Sequence, residues 1–366
     1  MGVMLEGTSS KFVRMQKVFS TAQRSYYRLR VHRSLFKKIS RAKSKKESPE
    51  IILQKPIQRL VAFIKDQKPD VVFLNGFGFL NWMLLKAAQQ AKVPTVIQHA
   101  GIWGKELGIH KSLYSLHGRK LMEDMERDSS RLTKTEVFLN SWSKEYYRTH
   151  VATKHEEGTT IIPLPFDFEG FQQLSGEAQS TRFNFEKDIV HIGVIARWDE
   201  IKNHKAILQM AKKAAQKKLP WKFHSIVEIP DRKEYAADKI KYEKHVDVIP
   251  PVDRTGISDF CRSVDLLILP SLFDVSPTVV LEAMATGTPI VISPTVGYVH
   301  DFMTHGGKDW VVDPADADKA VRNISKIIGK AMPVALRGHL MSAHSHSKVF
   351  TSYLDVFSRA IESVAR

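Results

Sequence analysis

The stretch Leu269-Pro-Ser-Leu-Phe-Asp274-Val-Ser-Pro-Thr-Val-Val-Leu-Glu282-Ala-Met-Ala-Thr-Gly287-Thr-Pro289 lies between two short apolar runs, Asp265–Leu269 and Pro289–Ile292. Runs of that length and composition predict buried strands, and the spacing between them predicts a helix over Thr278–Ala285. Strand, loop, helix, strand is the repeating unit of a parallel sheet. Two carboxylates, Asp274 and Glu282, stand eight residues apart. The first falls in the loop after a strand, the second about one turn into the next helix. Between them lies a helix start, whose free N–H groups and positive dipole end suit an anion such as a diphosphate. Flanking carboxylates can accept hydrogen bonds from sugar hydroxyls.

The same alternation extends in both directions. Downstream of residue 185, strands are expected at Ile189–Ile195, Lys222–Val227 and Val246–Ile249, with helices at His204–Lys217, Lys233–Lys241 and Ile257–Ser263; Val311-Val312 closes the series. Upstream, strands are expected at Asp70–Leu74, Thr95–Gln98, Glu136–Leu139 and Thr160–Ile162. Helices are expected at Ile57–Asp66, Trp82–Ala91, a long region ending near Thr133, and Ser143–Thr149. The fold class is therefore α/β, with two Rossmann-like parallel-sheet domains. The expected segments are a basic N-terminal piece at 1–50, a first domain at 51–170, a second at 185–345 and a C-terminal helix at 346–366. The boundary falls in the polar stretch from about Phe171 to Asn184. In such domains ligands collect at the carboxyl ends of strands.

The 366 residues suit about two domains, and 43% hydrophobic with 26% charged residues excludes a disordered chain. The one cysteine, Cys261, excludes a disulfide-stapled fold and favours a reducing compartment. No run of about 18 apolar residues predicts a membrane span, and no apolar signal core opens the chain. A cytoplasmic location, peripheral at the inner face of the membrane, is the expectation.

The net charge of +16 is concentrated. Between Gly7 and Lys46 stand 13 Lys or Arg and no acidic residue, so the rest of the chain carries only +3. Phe12, Met15, Phe19, Ala22, Tyr26 and Leu29 are spaced as one helical face, with Ser9 and Ser10 as N-caps and Arg14, Lys17, Arg24 and Arg28 opposite. A second piece holds Leu35, Phe36 and Ile39 among Lys37, Lys38 and Arg41, and Lys43–Pro49 reads as a linker. Residues 9–46 are expected to lie on an anionic membrane surface; a helix packed on its own domain is the alternative. Nucleic acid is not an expected partner, because no recognition module is present.

The segment ending "LEAMATGTPIV" resembles the E-x(7)-E region of retaining GT-B glycosyltransferases, glycosyl transferases group 1. "IGVIARWDEIKN" resembles the same family's basic pair, here Arg197 and Lys202. "VPTVIQHAG", "VFLNSWS" and "IIPLPFDFEGF" extend the resemblance into the first half, with Asp167 at its end, and Phe350–Val364 resembles a helix that crosses back to the first domain. The likeness implies two domains facing a central cleft. It implies transfer of a sugar from a nucleotide-diphosphate sugar, with retention, to a glycan or lipid-linked acceptor, as in polysaccharide or glycolipid assembly. The sugar nucleotide is a co-substrate, and no cofactor or metal is expected. The implied catalytic residues are Arg197 and Lys202 on the diphosphate, Asp274 on sugar hydroxyls and His99 orienting the sugar. The implied substrate-binding residues are Glu282 on the ribose, with Ser276, Thr278 and Val279 around the helix start.

Four features depart from the family pattern. Asp274 stands for the first Glu, Pro277 for a common Gly, and Glu228-Ile-Pro230 for a Gly-x-Gly. The N-terminal Gly-Gly loop is absent, with only Gly7 after a stub strand at Val3–Leu5. The alternatives are a degenerate binding or scaffold protein and a nucleotide-sugar epimerase. Asp316-Ala-Asp318 reads as capping carboxylates rather than a metal motif. His339, His344 and His346 read as a polar loop, because no carboxylate or thiol stands among them in sequence to complete a ligand set.

Overall fold

The computed structural model describes residues 2–8, 14–20, 25–41, 48–110, 114–151, 158–174, 183–230 and 236–365. The chain divides into two compact units. The first comprises Met1–Phe138, Lys144–Ile161 and Tyr353–Arg366; the second comprises Leu139–Ser143 and Ile162–Ser352.

In the first unit, β1 (Gly2–Thr8), β2 (Arg14–Ser20) and β3 (Ser25–His32) form a three-stranded sheet of order β1-β3-β2. A second sheet, entirely parallel, has the order β4-β5-β6-β7, from β4 (Val72–Asn75), β5 (Thr95–His99), β6 (Thr135–Phe138) and β7 (Thr159–Ile161). Helices Pro49–Gln67, Phe79–Gln90 and Leu116–Leu132 bury Leu53, Leu60, Trp82, Met83 and Met122 in one cluster. The last helix, His346–Ala365, contributes Tyr353 and Phe357 to this unit. Their rings meet Phe73 edge-on at 5.5 and 5.4 Å, and the Tyr353 hydroxyl donates to Gln98 Oε1.

The second unit is one five-stranded parallel sheet made of β8 (Val190–Ile195), β9 (Trp221–Ile226), β10 (Asp247–Ile249), β11 (Leu266–Leu269) and β12 (Ile290–Ile292). Its order is β10-β9-β8-β11-β12. Numbered within the unit that is 3-2-1-4-5, the doubly wound order, and the direction of winding reverses between β8 and β11. Leu266 lies beside Ile192 and Leu267 beside Gly193 in this central pair. Gly193 has no room for a side chain: an added Cβ would sit 2.9 Å from the Phe260 ring and 3.0 Å from Leu267. The absence of a side chain there lets helix Arg254–Ser263 press Phe260, fully buried, onto the sheet. Loops that leave the carboxyl ends of β8 and β11 therefore face one crevice.

The N-terminal helix expected over Phe12–Leu29 is corrected. Those residues fall on β2 and β3 and on residues 9–13 and 21–24, which lie outside the described set together with the Ser9 and Ser10 caps. The helical spacing spans two separate strands, β2 and β3. Within β3, Tyr27, Leu29 and Val31 alternate with Arg28, Arg30 and His32, a period of two, and that local pattern prevails. The stub strand at Val3–Leu5 is the longer β1. The second basic piece is a helix, Arg33–Ser40, and Ile39 is fully buried in the first unit. The Ser40 carbonyl accepts from the N–H of Ser115 at 3.1 Å, while Lys37 and Lys38 stay exposed.

Smaller differences have local causes. Residues 43–47 of the expected linker and 175–182 of the expected domain boundary lie outside the described residues. Pro49 opens a helix instead of ending a linker, with Ser48 Oγ accepting the Ile51 N–H. The helix runs through Pro56, so it begins well before Ile57. The long helical region before Thr133 is two helices, Trp103–Ile109 and Leu116–Leu132. His339 sits on a helix, Val334–Ala343, not in a loop; Leu336 and Leu340, four apart and buried, hold it down.

Candidate functional site

At the carboxyl end of β8 the chain turns through Arg197 and Trp198 into a single 3-10 turn, Glu200–Lys202. Asn203 then takes the left-handed conformation (φ 55°) and the next helix, His204–Gln216, begins. Four contacts fix this turn. Asp199 Oδ1 accepts the Ile201 N–H at 2.8 Å, and His204 Nε2 donates to the Arg197 carbonyl at 2.8 Å. Asn203 Nδ2 donates to the Pro270 carbonyl at 3.1 Å, and the Leu272 N–H donates to the Ile201 carbonyl at 2.7 Å. The last two tie the loop after β8 to the loop after β11, across the switch point. The result is an ion pair between Lys202 Nζ and Asp274 Oδ2, with side chains 17% and 15% exposed.

Asp274 is held from the other side as well. Its N–H donates to the Thr295 carbonyl at 3.2 Å, and its carbonyl accepts the Gly297 N–H at 2.8 Å. A Cβ on Gly297 would run into the Val275 carbonyl, so only glycine permits this approach. Pro277 precedes helix Thr278–Thr286 and offers no side-chain cap. The first-turn N–H groups of Thr278 and Val279 have no partner one turn back within the helix, so they are available to an anion.

Arg197, Lys202, Thr278, Val279 and Glu282 all line one cavity of about 540 Å³ at this crevice. One wall is apolar, from Ile226, Val227, Pro230, Pro251 and Val252. Glu228 and Pro230, which replace the family's glycines, are part of that lining. Ser276 is not among the lining residues. Its hydroxyl lies 3.0 Å from that of Tyr298, a buried ring; Asp274 is likewise beside the cavity rather than in its lining.

His99 stands at the end of β5. Its side chain is 0% exposed, its Nε2 lies 3.1 Å from Glu136 Oε1, and its ring stacks on Phe138 at 4.6 Å. The ring thus pairs with a buried carboxylate, and its Nδ1 has no hydrogen-bond partner. The Asp316 carboxylate accepts the Lys319 N–H at 3.0 Å and Asp167 accepts the Gly170 N–H at 2.9 Å, both as helix caps. Sequence reading passed over Trp198, His204 and Asn203, which position the basic pair. The signal available was the Asn just before an expected helix, a residue type suited to the left-handed turn.

The electrostatics divide the cavity. Burial raises the Asp274 carboxyl above its ordinary value, opposed by Lys202 and Arg197. Burial pushes the Glu282 carboxyl up to about 7, with Arg254 pulling it back. Between the ordinary Glu value of 4.5 and about 7, the folded protein holds this proton and the unfolded chain does not. Stability contributed by the neutral acid is therefore lost as pH rises through that window, by at most about 3 kcal/mol. Glu282→Gln keeps the shape and removes the ionisation. Urea unfolding is expected to find the variant and wild type equal near pH 4 and the variant more stable by about 1–3 kcal/mol near pH 8. A difference that does not change with pH contradicts the assignment.

Comparison with known proteins bears on this geometry. Residues 177–335 match the profile of the family Glycosyl transferases group 1. The provisionally named glycosyltransferase EpsF of Bacillus subtilis is 27% identical over 143 residues, 38% of this chain. The match spans only 37% of that relative's length. Sucrose-phosphate synthase from Thermosynechococcus elongatus superposes with a TM-score of 0.71 at 13% identity, covering 99% of this chain and 89% of that one. A UDP-forming trehalose-phosphate synthase from Burkholderia xenovorans gives 0.70 at 11% identity, covering 100% and 94%. A glycosyltransferase from Rickettsia africae gives 0.65 at 13% identity, covering 91% and 85%. At such identities the structural likeness establishes the fold, which is GT-B. The stretch that matches the glycosyl transferases group 1 profile, residues 177–335, holds the basic pair, Glu282 and the helix start that line this cavity, and Asp274, which is paired with Lys202 beside it.

Proposed function

We propose that this protein is a glycosyltransferase that moves a sugar from a nucleoside-diphosphate sugar to a glycan or lipid-linked acceptor with retention of configuration. The observation that carries the reading is the convergence of Arg197, Lys202, Thr278 and Glu282 on one cavity at the switch point of the second sheet. Arg197 offers a planar fork to phosphate oxygens and Lys202 a point charge. Together with the helix start they stabilise negative charge as it grows on the leaving diphosphate. Lys202 is already paired with Asp274, so an arriving diphosphate shares that ammonium. The Asp274 carboxylate then turns to the sugar hydroxyls. Glu282 accepts from the ribose, and the apolar wall from Ile226 to Val252 receives the base. Retention follows from attack on the face that the diphosphate leaves, and no protein nucleophile is assigned.

The test is incubation with UDP- and GDP-linked hexoses plus glycan or lipid acceptors, read by nucleotide release and by NMR of the new anomeric centre. Release with one nucleotide class, and a product of the donor's configuration, is expected. Arg197→Ala should lower the rate about 10²- to 10³-fold. Inverted product contradicts retention. A changed sugar formed without acceptor indicates an epimerase, and no binding of any sugar nucleotide indicates a scaffold.

We also propose that residues 9–46 attach the protein to an anionic lipid surface. Support comes from the 13 cations unopposed by any acid and from the exposure of Lys37 and Lys38 on helix Arg33–Ser40. A Lys near such a surface contributes about 1 kcal/mol. Co-sedimentation with phosphatidylglycerol vesicles should therefore weaken about tenfold or more in the double variant K37E/K38E. Equal sedimentation of variant and wild type removes the basis for the reading.

A further inference from the structure

The histidines at the end of the second unit lack a carboxylate neighbour in sequence, but the fold supplies one. Helix Val299–Thr304 carries Asp301, and His305 follows as its C-cap. Helix Val334–Ala343 brings His339 alongside. One ligand atom from each of Asp301, His305 and His339 lies within 4.8 Å of the other two. From this convergence we propose that Asp301, His305 and His339 form a binding site for a divalent transition-metal ion of the zinc, cobalt or nickel class.

The donor set is chemically apt. Two imidazoles and one carboxylate suit borderline ions, with a fourth position left to water. His305 Nδ1 lies 3.0 Å from the Asp301 backbone carbonyl. A carbonyl only accepts, so Nδ1 carries the proton and Nε2 keeps its lone pair. A hydrogen bond to a backbone carbonyl is the usual way a metal-binding imidazole is oriented. His339 Nε2 stands 3.0 Å from Asp301 Oδ1. Bonds of about 2.0–2.1 Å to a tetrahedral ion place neighbouring ligand atoms roughly 3.3 Å apart, so this pair needs little movement. The two imidazole rings stack with centroids 4.0 Å apart and planes 18° apart, which keeps them together. All three residues are partly exposed, so an ion has a route in. His344 is excluded as a ligand: its Nδ1 donates to the Leu164 carbonyl at 2.7 Å and the residue is buried.

Without metal, His339 Nε2–H donates to Asp301. On binding, the neutral His339 ring changes tautomer, its proton passing by way of solvent from Nε2 to Nδ1, while the Nε2 lone pair and the Asp301 oxygen turn to the ion. The bound ion clamps helix Val299–Thr304 to helix Val334–Ala343. The first of these begins directly after the loop whose Gly297 N–H is bonded to the Asp274 carbonyl. The role is structural, and nucleotide binding is not needed to test it.

The full-length protein is titrated with zinc chloride alone by calorimetry near pH 7.5, and with cobalt chloride by visible absorption. One equivalent bound, a four-coordinate cobalt spectrum and a thermal midpoint raised by about 3 °C or more are expected. His305→Ala and His339→Ala should each weaken zinc at least tenfold. Asp301→Asn keeps the side-chain shape and should weaken it similarly if either alanine variant folds poorly. No saturable binding by wild type, or unchanged affinity in the folded variants, overturns the proposal.

Discussion

An ammonium group and a carboxylate from the ends of two adjacent strands neutralise one another in a pocket where both are largely hidden from water. Lys202 and Asp274 set the terms for everything around them. Taking either charge out of water alone would cost several kcal/mol, and removing one partner leaves the other stranded. Their pairing therefore demands that the loops after β8 and β11 meet. Asn203, Pro270, Ile201 and Leu272 supply the backbone and amide bonds that make them meet. In the proposed function this pair meets a ligand that carries both negative phosphates and neutral hydroxyls.

The sheet explains why this pairing falls where it does. Winding reverses between β8 and β11, so successive crossovers leave on opposite faces and the two loops diverge around a crevice. Gly193 and Phe260 make the central strand pair fit beneath helix Arg254–Ser263. The helix start at Thr278 then adds a positive dipole end to the same crevice. Two cations, the N–H donors of that helix start, the raised carboxyl of Glu282 and an apolar set from Ile226 to Val252 thus line the same cavity.

Much of this was legible before any coordinates. Strand and helix positions in the second unit follow from short apolar runs and punctuating Gly and Pro. Arg197, Lys202, Asp274 and Glu282 stood out because their two stretches resemble one family's pattern and because a helix start between carboxylates suits an anion. Where reading failed, the cause was a local pattern overridden by its setting. The basic N-terminal residues fit a helical period only when counted across a strand break. The pairing of His99 with Glu136 is hidden in the sequence, because the two lie 37 positions apart and no spacing rule joins them. The contact of the Ser276 hydroxyl with that of Tyr298 is hidden in the same way. Asp301, His305 and His339 gather only through the packing of two helices that the linear order keeps apart.

The central claim is that Lys202 and its neighbours hold a diphosphate. Calorimetric titration of wild type and Lys202→Met with UDP, GDP and the corresponding nucleosides tests it most directly, because methionine keeps the apolar stem and removes only the charge. A charge-assisted contact to phosphate contributes about 1.5–3 kcal/mol. Wild type should bind one diphosphate at least tenfold more tightly than its nucleoside, and the variant should lose most of that margin while binding the nucleoside as before. Equal affinity of wild type and variant for the diphosphate, or no preference for diphosphate over nucleoside in wild type, would contradict the account.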